Sequence, residues 1–125
     1  MTRINLVPVE ELTREHLLGE NKEITRVFGL SRKAQFEIMR GKRKLPEKYT
    51  LGDGHVTFFY DKLGFIADRY ESIVAEMIVR GYKPNPIPRA DLLANIDKRM
   101  HGSYVPDDEA LALSRGRIAD RLAEK

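Results

Sequence analysis

The sequence predicts an all-α fold: a compact single domain of three main helices with long loops and no significant sheet. Three observations predict it. Leu63, Ile66, Tyr70, Ile73 and Met77 recur at steps of three and four, which places one apolar stripe on one helix face. Leu17, Ile24, Val27 and Phe28 repeat that spacing earlier in the chain. VTFFY at 56–60 is the single run with strand composition, and one short strand has no partner to pair with.

The elements follow in order. Asn5 to Val9 reads as an extended lead-in, because Pro8 pushes the residue before it out of the helical region. Glu10 to Lys33 reads as helix, weakened locally by Gly19 and Gly29. RGKRKLPEKY at 40–49 is a basic loop, and LGDGHV at 51–56 is a turn. VTFFY is then a buried entry to a helix from about Tyr60 to Arg80, with Gly81 as its stop. PNPIP at 84–88 is a stiff loop, and residues 89–99 suit a short helix. Pro106, followed by Asp107, Asp108 and Glu109, starts the last helix, with acids at its positive dipole end. That helix runs to about Ala123 and is expected to turn Leu111, Ile118 and Leu122 inward.

Composition limits the chemistry. The 125 residues include no cysteine, which removes disulfides, thiolate metal sites and a Cys nucleophile. The absence of cysteine, of an apolar leader and of any run near the ~20 residues of a membrane span fits a cytoplasmic protein. The net charge is only +3, but it is unevenly spread. Between Lys22 and Lys48, nine bases stand against three acids, and Arg115, Arg117, Arg121 and Lys125 add a second basic group. A basic patch of that kind suits either a polyanion or a solvated face.

His16, His55 and His101 show no ligand spacing, so no metal site is expected, though scattered acids leave a two-metal nuclease open. GDG at 52–54 lacks the spacing of a phosphate loop. No Ser lies in a nucleophile elbow. On a helix, Glu23 lies about 20° around from His16. His16, Gly19, Glu23, Arg26 and Val27 therefore share a face, bordered by Lys22. By itself, a carboxylate between Lys22 and Arg26 reads as a surface ion pair of a few tenths of a kcal/mol.

MTRINL at the start, ITRVFG at 24–29 and GHVTFFYDKL at 54–63 resemble the phage-type pyrimidine-dimer DNA glycosylase/AP lyase family. GYKPN at 81–85, YVP at 104–106 and the basic last helix extend the resemblance over nearly the whole chain. It implies one glycosylase/AP lyase domain over residues 1–125, needing no cofactor and acting as a monomer. It implies a substrate of double-stranded DNA carrying pyrimidine dimers or abasic sites. By the same resemblance Met1 is removed and the α-amine of Thr2 attacks C1′, with Glu23 as the catalytic carboxylate. Arg3, Lys22, Arg26, Arg117 and Arg121 would contact DNA, His16 would support the site, and Gln35 is a weaker candidate. His55, Phe59 and Tyr60 would pack the floor of the site. A broader damaged-base range, or a non-catalytic DNA-binding module, are the alternatives.

Overall fold

The structure, a computed structural model, describes residues 3–124. It is helical, and no strand occurs among the described residues; one isolated antiparallel bridge joins Lys62 to His101. The lead-in from Arg3 is extended and ends in a 3-10 turn at Val9–Glu11. Helices follow at α1 (Arg14–Ile24), α2 (Arg26–Met39), α3 (Leu63–Val79), α4 (Arg89–Leu92) and α5 (Asp108–Ala123). The three main rods expected are present: α1 with α2, then α3, then α5. Their boundaries differ from the expectation, for local reasons.

The first rod starts at Arg14 rather than Glu10. Leu12 is extended at ψ 139°, and Thr13 is the N-cap, its hydroxyl accepting from the His16 amide at 3.3 Å. The rod breaks at Thr25 rather than at either glycine. The ψ of Thr25 relaxes to −19°, flatter than a helical turn, at a β-branched residue of poor helix propensity. It then runs six residues past Lys33, because its far turns are fastened to the next layer. Arg32 donates to the carbonyls of Leu92 and Ala94, both at 2.9 Å. The Gln35 amide donates to Asn95 O and accepts from Asp97 N–H, both at 2.9 Å. Gly41, at φ +72°, closes α2, with Lys42 N–H returning to Glu37 O and Gly41 N–H to Ile38 O.

α3 behaves as its pattern predicts. Leu63, Ile66, Tyr70, Ile73 and Met77 are all buried, and Gly81 (φ +90°) ends the helix with the same pair of returning bonds. α1 packs on α3 most extensively, and Leu17, Ile24, Val27 and Phe28 complete that core. VTFFY forms a 3-10 turn at Thr57–Phe59 leading into α3. Around it His55, Tyr49, Phe58, Phe59, Phe65 and Tyr104 meet mostly edge to face. Residues 89–99 do not form one helix: α4 is a single turn, and left-handed Asn95 (φ 62°) separates it from a 3-10 turn at Lys98–Met100.

α5 is capped by Asp107, whose carboxylate accepts from Ala110 N–H at 2.8 Å. Its inward stripe is Ala110 and Ser114, with Leu111 and Ile118 half-buried. Leu122 is 39% exposed, against the expectation. Arg117, Arg121 and Glu124 are the residues of the last turns that line a polar cavity, and Leu122 lies outside the apolar core.

Candidate functional site

The lead-in is an extended segment without a neighbouring strand, yet Ile4, Asn5, Leu6 and Val7 are all buried. Its backbone groups must find other partners, and side chains provide them. Ile4 N–H donates to His55 Nε2 at 2.9 Å, and Tyr49 Oη donates to Ile4 O at 3.0 Å. Leu6 N–H donates to Ser114 Oγ at 3.0 Å, and Arg69 donates to Val7 O. Because Nε2 of His55 accepts, its proton sits on Nδ1, which donates to Thr50 O at 2.8 Å. Burial pushes the His55 pKa down to about 4, with the charges of Arg3 and Arg117 adding to it and the Thr50 bond opposing it.

Beneath this segment runs a buried polar chain. Arg69 grips Glu20 with two nitrogens, at 2.7 and 3.1 Å. Glu20 accepts from the Asn5 amide at 2.9 Å, and Asn5 Oδ1 accepts from Arg117 at 2.6 Å. Burial lowers the pKa of Arg117, and its Nε finds no hydrogen-bond partner among the described residues.

The chain ends at a cavity of about 430 Å³ between α1 and α5. α1 contributes Glu15, His16, Gly19 and Glu23, and α5 contributes Arg117, Arg121 and Glu124. Arg3 and Asn5 bring the lead-in to its wall. Glu23 is partly exposed and faces Arg26 at 3.9 Å, one turn on. His16 Nδ1 lies 2.9 Å from the Thr13 hydroxyl. The cavity therefore juxtaposes arginines able to hold phosphate with a carboxylate able to oppose a developing positive charge.

Of the residues singled out from the sequence, Glu23, Arg3, His16, Arg117 and Arg121 meet at this cavity. Thr2 lies outside the described residues. Lys22 and Arg26 are exposed on the same rod but do not line the cavity. Val27 leaves the expected shared face and is buried in the core. Gln35 is buried, with its amide committed to the 95–97 loop. Sequence reasoning missed Asn5, Glu20, Arg69 and Tyr49. Two of these carried a signal. Glu20 falls between Leu17 and Ile24 on the apolar stripe of α1, and Arg69 between Ile66 and Ile73 on that of α3. Opposite charges on two core-facing stripes point to a buried pair.

The family model for pyrimidine dimer DNA glycosylase matches residues 1–88 of the chain. That span is more than half of the chain and covers the lead-in, α1, α2 and α3; α5, with Arg117 and Arg121, follows it.

Proposed function

Since the chain belongs to the pyrimidine dimer DNA glycosylase family, it is a DNA repair glycosylase acting on DNA that carries pyrimidine dimers, and we propose the following chemistry for it. The α-amine of residue 2, exposed by removal of Met1, attacks C1′ of the 5′ nucleotide of a cyclobutane dimer. A C1′–N bond to the protein forms, and the glycosidic C1′–N bond to the base breaks. The base nitrogen leaves with the bonding pair and takes up a proton. The sugar ring opens to a protonated imine. Loss of the C2′ proton feeds electrons into that imine and expels the 3′ phosphate by β-elimination. Hydrolysis of the imine then frees the amine. The chain is accordingly both a glycosylase and a lyase for abasic sites.

An α-amine suits this task. Its pKa of about 7.7–8.0, against about 10.4 for Lys, makes it easier to deprotonate at neutral pH by about 3.5 kcal/mol. In this chemistry Glu23 stabilises cationic character at C1′ and moves the C2′ proton. Arg3, Arg117 and Arg121 hold the phosphates nearest the lesion, and Lys22 and Arg26 hold the neighbouring backbone, while His16 supports the wall of α1. The dimer is already poorly stacked, so kinking the duplex there costs less, which favours damaged over intact DNA. The protein acts as a monomer in the cytoplasm.

One observation carries this reading: the N-terminal segment is tied down through Ile4 at the cavity that holds Glu23. Borohydride reduction tests it. In the presence of EDTA, the protein is expected to become covalently attached to dimer-containing and abasic duplexes alike. Glu23→Gln is expected to bind both and cleave neither. Normal binding without any adduct would leave only a DNA-binding module, and cleavage by Glu23→Gln at the normal rate would remove Glu23 from its role.

A further inference from the structure

We propose that His55 and Tyr49 are positioning residues for the reaction, gripping Ile4 by both of its backbone polar groups and so setting where the amine of residue 2 acts. The inference rests on the amine chemistry proposed above. The stretch GHVTFFYDKL contributes nothing to the lining of the cavity, and the clamp gives part of it a task.

Ile4 is fully buried, and its N–H and C=O are held by two different side chains. Each of those side chains is itself fixed. His55 follows Gly54, whose φ of +87° permits the turn, and its amide donates to Gly52 O at 3.1 Å. The Nδ1–H of the same ring is anchored on Thr50 O. The His55 and Tyr49 rings meet edge to face at 5.3 Å, and both rest against Phe59, at 6.0 Å each. The clamp therefore has little rotamer freedom, and the adjoining residue, Arg3, lies in the cavity wall.

Two residues of chain span at most about 7 Å, so holding Ile4 limits the reach of the amine. Attack needs the reacting atoms about 3–3.5 Å apart, and a misplacement of about 1 Å costs on the order of a hundredfold in rate. A pair that only stabilised the fold would change the fraction of folded molecules and leave the rate of each one unaltered.

Single-turnover borohydride trapping on an abasic duplex, with enzyme saturating, separates the two roles. His55→Phe keeps an aromatic ring and loses both bonds; His55→Gln can accept from Ile4 N–H and donate to Thr50 O. We expect His55→Phe to slow trapping at least about tenfold with duplex Kd within about threefold, and His55→Gln to restore the rate to within about threefold. A folded His55→Phe that traps at the normal rate, or loses only affinity, overturns the clamp, as does a folded His55→Gln as slow as His55→Phe. If His55→Phe does not fold, Tyr49→Phe, which removes one oxygen, decides the matter: slower trapping supports the clamp and an unchanged rate overturns it. Absence of any adduct from the unaltered protein would instead overturn the amine chemistry.

Discussion

Arg69 and Arg117 approach the same pair of polar residues, Glu20 and Asn5, from opposite ends. At the core end, Arg69 is buried and satisfied, with two bonds to Glu20 and one to Val7 O. At the cavity end, Arg117 makes one bond, to Asn5 Oδ1, and keeps a buried Nε without a partner among the described residues. The residue type is the same and the chain of contacts is shared. A guanidinium with each of its three nitrogens bonded completes a structure. One with a single bond, at the edge of a cavity, is less committed to the fold.

Removing the core arginine is the harshest way to break the comparison. Arg69→Met leaves the Glu20 carboxylate buried without its counter-charge, and we expect a loss of about 3–5 kcal/mol in urea unfolding. A loss below about 1 kcal/mol would mean that Glu20 is protonated or solvated, and that the two ends do not differ as described.

The tether between the ends is next in size. The His55 pKa of about 4 in the fold lies below its ordinary 6.5. As pH falls, the unfolded chain takes up the proton first. Stability is full above about pH 6.5 and declines as pH falls towards 4, by about 3 kcal/mol over that window. Unfolding measured across that range checks the slope, and His55→Gln is expected to abolish this residue's share of it.

The cavity end has the opposite profile. Arg117→Met is expected to change stability by under about 1 kcal/mol, because it removes a buried charge along with its bond. It is expected to weaken binding to dimer-containing duplex and to lower the slope of log K against log salt by about one. The smallest effect on stability belongs to Arg26. Its exposed pair with Glu23 contributes at most about 0.5 kcal/mol, yet Arg26→Ala is expected to lower the salt slope by about one as well. An unchanged slope for either variant would take that residue out of the DNA interface.

Periodicity made the core end legible. The stripes of α1 and α3 need only apolar residues at helical spacing, a local property of the chain, and every residue of both stripes is buried. Boundaries were less legible where a capping residue overrode composition: Thr13 delays a helix that Glu10 and Glu11 suggest, and contacts to residues 92–97 prolong α2 beyond Lys33. The cavity was legible only in part. Arg3, His16, Glu23, Arg117 and Arg121 could be named, from helical spacing and from family resemblance. The partners of the lead-in's backbone groups lie 45, 51, 62 and 108 residues away. No local pattern encodes such pairings. Leu122 shows the converse error: helical spacing turned it inward, but it lies outside the core, and Arg117 and Arg121 are the residues of those turns that line the cavity.

We propose the amine of residue 2 as the nucleophile at the Glu23 cavity. Proteolysis of the borohydride-reduced complex, followed by mass spectrometry of the cross-linked peptide, tests it most directly. A sugar remnant is expected on the α-nitrogen of residue 2 in a chain lacking Met1. Attachment at a lysine side chain, such as Lys22, would contradict it.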